Sequence, residues 1–207
     1  MRYGFGVDIG GTTVKIAFFD EQGKMLDKWQ ITTNTSNGGS AILPDTAKSI
    51  RDYLQKNQIA DDHIIGVGVG VPGPVDEQGI VNRCVNLGWG MVDLHGELAR
   101  LTGFPVKGGN DANVAALGEC WMGGGKGYES LVMATLGTGV GGGIVVGGKV
   151  IPGFHGAGGE IGHITMNHRE KEACGSEQIR HNSECEADRD DESCYALYHV
   201  CADYDRA

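Results

Sequence analysis

The chain has 207 residues, enough for one domain or two small ones with a buried core, and its 40% of apolar residues is ordinary for a soluble globular protein. A formal charge of −10 argues against a nucleic-acid or anionic-membrane partner, since both bind basic surfaces. Because no apolar run approaches the length of a membrane span and the first residues lack a signal peptide's apolar core, the sequence predicts a cytoplasmic protein.

Two compositional regimes meet near residue 170. Of the 36 glycines, 35 lie in residues 1–167, and only Gly175 lies beyond them. Residues 168–207 contain 5 basic and 11 acidic residues, a net charge of −6, which leaves −4 for residues 1–167. Four of the six cysteines also lie in this last part: Cys174, Cys185, Cys194 and Cys201. In a cytoplasmic protein they are expected to be thiols or metal ligands rather than disulfides.

The first sixty residues predict a β-meander followed by a helix. A buried strand over Tyr3–Asp8 ends in a Gly-Gly turn, and strands over Thr13–Phe19 and Met25–Thr32 follow it. Small polar residues predict a loop over Thr33–Ser40. Apolar residues at helical spacing then predict a helix over Ala41–Asn57.

The next hundred residues alternate strands and helices. Residues 64–70 predict a buried strand in which three of the seven residues are glycine. The strand ends at a rigid turn, Val71-Pro72-Gly73-Pro74. The later predicted elements are helices over Val92–Thr102 and Asp111–Trp121, a short strand over Phe104–Lys107, and a hairpin of Ser130–Leu136 with Gly143–Val150. This order predicts an α/β protein of two lobes, with residues 1–122 in the first, residues 123–174 beginning the second, and residues 175–207 divergent.

The segment Asp8-Ile9-Gly10-Gly11-Thr12 has the composition of a phosphate-binding turn. Its glycines let the backbone approach an anion closely, with N–H groups lining the turn. Asp8 could then hold Mg²⁺, directly or through water, because that ion usually keeps several waters. The alternative is a plain hairpin turn with a solvated aspartate.

A second glycine-rich loop, Leu136–Gly143, contains the spacing G-x-G-x-x-G at Gly137, Gly139 and Gly142. A dinucleotide-binding site would require a helix after it, whereas the residues that follow are strand-like. The remaining interpretations are a strand-turn-strand phosphate clamp, with the Thr138 hydroxyl as a donor, and a flexible glycine-rich hairpin.

Asn110-Asp111 is the candidate catalytic centre. A carboxylate at a helix start lies in the positive end of the helix dipole, and in phosphoryl transfer such a group accepts the proton of the attacking hydroxyl. The alternative is an ordinary helix N-cap. Further along, Glu160 and His163 stand three apart on small-residue backbone, which suits close contact with a polyol; the alternatives are an exposed glutamate and a structural histidine.

Together, these motifs resemble the ROK family of bacterial sugar kinases, repressors and open reading frames, with the greatest likeness to its ATP-dependent glucokinases. The resemblance covers residues 3–174. It rests on the order of Asp8–Thr12, Gly70–Val75, Asn86-Leu87-Gly88-Trp89, Asn110–Asn113, Thr135–Gly143 and Gly159–His163.

The resemblance implies an actin/hexokinase-like, ribonuclease H-type ATPase fold of two lobes, with the sugar and ATP bound in the cleft between them. It implies ATP-dependent phosphorylation of glucose to glucose 6-phosphate. Other sugars remain open (N-acetylmannosamine, N-acetylglucosamine, fructose or allose), as does an inactive sugar-binding fragment. The implied roles are a first phosphate loop of Asp8, Gly10, Gly11 and Thr12, a second of Gly137, Thr138 and Gly139, Asp111 as the base, and sugar contacts from Gly73, Asn110, Asp111, Glu160 and His163.

The resemblance also bears on partners. Because ROK repressors carry a helix-turn-helix ahead of the first phosphate loop, a loop that begins at residue 8 favours the kinase branch and predicts no nucleic-acid partner. The family is commonly dimeric or tetrameric, so a homo-oligomer stays open.

The family's zinc site is incomplete in this chain. His163 is present and Cys174 stands where the first cysteine of Cys-x-Cys-Gly-x-x-Gly-Cys belongs, but Ser176 and His181 occupy the next cysteine positions. Serine is a poor zinc ligand, so bound Zn²⁺ is doubtful. Residues 175–207 are expected to be a divergent terminus or the product of a shifted reading frame.

Overall fold

The computed structural model describes residues 1–136, 140–153, 156 and 158–163, and for His163 the backbone only. The predicted second phosphate residues Gly137, Thr138 and Gly139, the candidate ligand Cys174 and the tail 175–207 lie outside the described residues. The chain separates into two compact units, the first being Met1–Asp111 and the second beginning at Ala112. The expected lobe boundary at residue 122, the end of a helix, stays a prediction.

The first unit contains seven strands and three helices within the described residues. Its strands are β1 (Tyr3–Ile9), β2 (Thr13–Asp20), β3 (Met25–Thr32), β4 (Ile64–Val71), β5 (Ile80–Val81), β6 (Val92–Asp93) and β7 (Val106–Asn110). Its helices are α1 (Ser36–Gly39), α2 (Ile42–Lys56) and α3 (Leu94–Thr102), with short 3₁₀ turns at Asp61–His63 and Val85–Leu87.

Five of these strands form one sheet in the order β3-β2-β1-β4-β7. The meander β1-β2-β3 is antiparallel, as predicted, whereas β4 and β7 join β1 in parallel. Two parallel connections need crossovers, and α2 and α3 provide them between β3 and β4 and between β4 and β7. The carboxyl ends of β1, β4 and β7 therefore meet at one edge of the sheet.

Alternate residues of the strands are buried, because successive side chains of a strand point to opposite faces of the sheet. Phe5, Val7 and Ile9 of β1 are buried in one hydrophobic cluster with alternate residues of β2 and the apolar faces of α2 and α3. Aromatic rings close one end of this core, where the Trp29 and Tyr53 rings stack with centroids 4.5 Å apart.

The second unit, as far as the structure describes it, is a sheet packed on a helix. Strands β8 (Leu131–Leu136), β9 (Val140–Val146) and β10 (Lys149–Val150) form it in the order β10-β9-β8. Helix α4 runs from Asp111 to Met122, and a 3₁₀ turn covers Ile161–His163. A small separate core contains Ala116, Leu131, Met133 and Val145.

Several predicted boundaries differ from the structure, and two of the differences involve glycine. Strand β7 continues through Gly108 and Gly109 to Asn110, beyond its predicted end at Lys107. Strand β9 begins at Val140, three residues before its predicted start at Gly143, and includes Gly141 and Gly142, which were assigned to a loop. Packing overrides the low strand propensity of glycine there, because an added Cβ on Gly143 would lie 2.5 Å from the Ala116 Cβ atom. The predicted helix over Val92–Thr102 begins two residues later, at Leu94.

Candidate functional site

Three sequence motifs leave the same edge of the first unit's sheet. Asp8 pairs in register with Gly70, and Gly70 with Gly109, so these three residues form one row across β1, β4 and β7. At ordinary strand spacing the row is about 10 Å wide. Gly10 to Thr12 and the Pro72-Gly73 turn follow this row in loops, whereas Asn110 ends β7 and Asp111 begins the next helix. The structure therefore brings together these predicted residues of the first unit.

Three hydrogen bonds to its own carbonyl groups and to that of Thr13 fix the first glycine loop. The Gly10 N–H donates to the Thr13 carbonyl at 3.0 Å, while the Thr33 hydroxyl donates to the Gly10 carbonyl at 2.6 Å and the Thr33 N–H to the Thr12 carbonyl at 2.9 Å. Gly11 and Thr12 are exposed, and among the described residues their amides have no hydrogen-bond acceptor. Two consecutive amides without an acceptor are available to hydrogen-bond an anion.

Asp8 borders this loop with a half-exposed carboxylate. One oxygen lies 3.7 Å from the Lys15 ammonium, and both side chains are more than half exposed, so the pair contributes little stability. Within the described ranges, no group of three or more His, Cys, Asp or Glu side chains is arranged to hold a metal ion. The donor set fits Mg²⁺ that keeps most of its waters and takes one carboxylate, and does not form a cage of protein ligands.

The segment Cys84–Trp89 contacts both the first glycine loop and the Pro72-Gly73 turn. An added Cβ on Gly11 would lie 3.2 Å from the Asn86 carbonyl oxygen, so the phosphate-type loop rests on this segment. The Cys84 thiol donates to the Pro72 carbonyl at 3.2 Å, and an added Cβ on Gly73 would lie 3.4 Å from the Cys84 Cβ atom. The sequence did not predict this supporting role.

The same segment holds the loop before α2. The buried Trp89 indole N–H donates to the Gly39 carbonyl at 3.1 Å. Gly39 has φ +68°, and an added Cβ would overlap the Leu87 carbonyl oxygen and the indole ring. Leu87 and Trp89 are both buried, so their side chains anchor the segment Cys84–Trp89 against the loop that contains Gly39.

Asp111 begins α4 directly after β7 ends at Asn110. The helix dipole stabilises negative charge at this end. Burial raises the pKa of the Cys84 thiol, the backbone amides of Leu87 and Asn86 lower it, and the negative charge of Asp111 raises it further. The Asp111 carboxylate is therefore one of the charges that act on the Cys84 thiol.

His95 supports the strand that leads to this carboxylate. Its Nε2 atom accepts a 2.7 Å hydrogen bond from the Gly108 N–H, on the open side of β7, the outer strand of the sheet. The bond requires the tautomer that carries its proton on Nδ1. The His95 side chain thus provides the hydrogen-bond acceptor for an N–H group of the edge strand, three residues before Asp111.

In the second unit, the Gly159–His163 motif packs on β9 and on the first turn of α4. An added Cβ on Gly159 would lie 2.8 Å from the Asn113 Oδ1 atom and 2.5 Å from the Gly142 carbonyl oxygen. Glu160 is exposed. Only Gly could fit between the strand and the helix there, which accounts for the glycine density of this motif. The sugar contacts predicted for Glu160 and His163 stay predictions.

Comparison with known proteins agrees with this arrangement. The ROK family profile matches residues 4–184. The chain belongs to the ROK family. It is 44% identical over 166 residues to the glucokinase of Halalkalibacterium halodurans, an alignment covering 80% of this chain and 50% of that one. The chain thus spans about half the length of the curated relatives it matches.

Solved ROK structures share the mixed α/β fold. The ROK hexokinase of Thermus thermophilus matches with a TM-score of 0.77 and 32% identity, over 91% of this chain and 61% of that chain. The ROK glucokinase of Streptomyces griseus, solved with glucose and AMPPNP, matches with a TM-score of 0.65 and 33% identity, over 80% and 51%. The predicted fold class is confirmed.

Other ROK relatives carry different names. An N-acetylgalactosamine kinase of Shewanella is 35% identical over 163 residues, covering 77% of this chain and 50% of that one. A putative xylose repressor of Caldicellulosiruptor is 31% identical over 163 residues, covering 78% and 41%. The ROK domain is therefore shared by kinases and repressors, and the kinase branch stays a prediction for this chain. No helix in the described ranges has the length and apolar character needed to cross a membrane.

Proposed function

We propose that this chain carries the catalytic base and first phosphate loop of an ATP-dependent sugar kinase that converts glucose to glucose 6-phosphate. The observation that carries the proposal is the row Asp8, Gly70 and Gly109, from which the glycine loop, the Gly73 turn and Asn110-Asp111 leave one sheet edge. Membership of a family that includes glucokinases supports it.

The reaction requires a base and an in-line acceptor. The Asp111 carboxylate accepts the proton of the sugar's 6-hydroxyl as that oxygen forms a bond to the γ-phosphorus of ATP. The bond between the γ-phosphorus and the β–γ bridging oxygen breaks, and ADP leaves with its electron pair. Asn110 and Gly73 orient the sugar beside the base, and Glu160 and His163 are the further residues proposed to contact the sugar.

The phosphates of ATP bind the exposed amides of Gly11 and Thr12, and Gly137, Thr138 and Gly139 supply the second phosphate loop. Bound Mg²⁺ would be held by Asp8, directly or through water, and would neutralise charge on the phosphates. Lys15 lies beside the same carboxylate and keeps its charge balanced when no ion is bound.

Substitution of the base tests the proposal. ADP release from MgATP and glucose should be measurable for the unaltered chain, and Asp111→Asn should lower the rate by about 10²–10⁴-fold because it removes the proton acceptor with little change of shape. The matched control, Asp62→Asn, changes an exposed carboxylate in a 3₁₀ turn and should leave the rate unchanged. Equal rates for Asp111→Asn and the unaltered chain would refute the assignment of the base.

A different sugar is the second candidate, because an N-acetylgalactosamine kinase is 35% identical to the chain. The same assay with N-acetylgalactosamine, N-acetylmannosamine, N-acetylglucosamine, fructose and allose separates the candidates by kcat/KM. A preference for any of these over glucose would replace the glucose assignment and keep the kinase mechanism.

An inactive sugar-binding chain is the third candidate, because the chain spans about half of its curated relatives. Its signature is a rise in melting temperature with sugar and no ADP release from any sugar. Turnover that disappears in Asp111→Asn excludes it.

A further inference from the structure

We propose that Thr33 is the positioning residue that sets the first phosphate loop for nucleotide binding. Thr33 follows β3, lies 23 residues from Gly10 in sequence, and is 8% exposed. The inference rests on the proposed kinase function and adds a residue that touches neither the nucleotide nor the sugar.

Thr33 binds two carbonyl groups of the loop. Any turn that presents amides to an anion must keep its carbonyl oxygens away from that anion, because a carbonyl dipole repels phosphate oxygens. Thr33 does this twice: its hydroxyl donates to the Gly10 carbonyl at 2.6 Å and its N–H to the Thr12 carbonyl at 2.9 Å.

The amides of Gly11 and Thr12 are the N–H groups that the loop can offer to an anion. The Gly10 N–H already donates to the Thr13 carbonyl at 3.0 Å, which leaves Gly11 and Thr12 as the exposed residues of the loop. Because Thr33 fixes the carbonyls on both sides of Gly11, the orientation of the Gly11 and Thr12 amides depends on it. Removal of its hydroxyl frees the Gly10 carbonyl to turn toward the anion.

The side-chain chemistry provides a matched set of variants. Thr33→Val keeps the shape and loses the hydroxyl, whereas Thr33→Ser keeps the hydroxyl. Thr32→Val makes the same chemical change one residue earlier, at an exposed position of β3. If the hydroxyl is what matters, only Thr33→Val should affect nucleotide binding.

The test is titration calorimetry of the full chain with MgATP and, separately, with glucose. We expect Thr33→Val to weaken MgATP binding by about five- to tenfold, the equivalent of one lost hydrogen bond, and to leave glucose affinity within about twofold. Thr33→Ser and Thr32→Val should bind MgATP like the unaltered chain. Unchanged MgATP affinity in Thr33→Val, or equal losses for MgATP and glucose, would overturn the proposal.

A measurement on the unaltered chain keeps the inference testable if Thr33→Val does not fold. Addition of inorganic tripolyphosphate should shift the amide resonances of Gly11 and Thr12 in an NMR spectrum. Nucleotide binding without these shifts would refute the role of Thr33 but not the kinase function, since the phosphates would then bind away from Gly11 and Thr12. A chain that binds neither MgATP nor tripolyphosphate would refute the kinase function itself, and the positioning role with it.

Discussion

At the scale of single residues, the Cys84 thiol reports on the candidate site. It is 2% exposed, it donates to the Pro72 carbonyl, and it lies near the negative charge of Asp111. Burial is the largest of the influences that raise its pKa from an ordinary value of 9.0. A thiol with a raised pKa carries little thiolate at neutral pH, so Cys84 acts as a packing and hydrogen-bonding group.

Alkylation by iodoacetamide checks this at pH 8. Cys84 should react at least about tenfold more slowly than Cys120, which is only half-buried, because burial both shields the Cys84 thiol and raises its pKa. Since the folded pKa is raised above the unfolded value near 9, the free energy of unfolding should fall as the pH rises above 9. Peptide mapping by mass spectrometry follows the labelling. Equal labelling rates in the folded protein would contradict the raised pKa.

At the scale of elements, the loop before α2 depends on one glycine. Gly39 combines φ +68° with a backbone and indole contact that leaves no room for a Cβ atom, whereas Gly103, at φ +80°, has open space around it. Substitution of Gly103 therefore tests the strain of the left-handed backbone by itself, whereas substitution of Gly39 adds steric overlap to that strain.

Gly39→Ala should lower the free energy of unfolding by about 1–3 kcal/mol more than Gly103→Ala, because the second change carries only the backbone strain. Urea unfolding of both variants measures the difference. Equal destabilisation would show that Trp89 and Leu87 move aside easily, contrary to their burial.

The edge strand β7 offers a second test at this scale. His95→Leu removes the acceptor of the Gly108 N–H and should lower the free energy of unfolding by about 1–3 kcal/mol, the cost of a partly buried unpaired amide. His95→Asn, a shorter side chain with an acceptor oxygen, is the comparison. Hydrogen exchange at Gly108 should quicken in His95→Leu; unchanged exchange there would contradict the role given to His95.

Regular patterns in the sequence explain which elements were predicted. The meander β1-β2-β3 and helix α2 follow from alternation and helical spacing, which depend on neighbouring residues alone. Strand β9 was missed at Gly141 and Gly142 because its stability there comes from pairing with β8 and from close packing, such as that of Gly142 on Ile161, not from its own propensity. Thr33 and Cys84 were missed as parts of the site for the same reason: their partners are distant in sequence.

At the scale of the whole molecule, each unit has its own hydrophobic cluster among the residues that the structure describes. The larger one supports the sheet edge that carries Asp8, Gly73 and Asp111. The smaller one, around Ala116 and Met133, supports the β8-β9 hairpin. Each cluster therefore stabilises its own set of candidate residues.

Truncation of one buried side chain in each cluster tests this division. Leu98→Ala and Met133→Ala should each cost about 2–5 kcal/mol. In hydrogen-exchange mass spectrometry, the first should raise exchange mainly within residues 1–111, and the second mainly in β8 and β9. A uniform rise in both variants would show that the two units unfold as one.

The three tryptophans give the chain a built-in optical signal. Trp121 is 59% exposed, whereas Trp89 is buried with its indole N–H on the Gly39 carbonyl, at the end of the segment Cys84–Trp89 that contacts the glycine loop and the Gly73 turn. Fluorescence emission from Trp89 is consequently expected at shorter wavelengths than that from Trp121. With Trp121→Phe removing the solvent-exposed emitter, a ligand that rearranges those loops becomes visible without any attached dye.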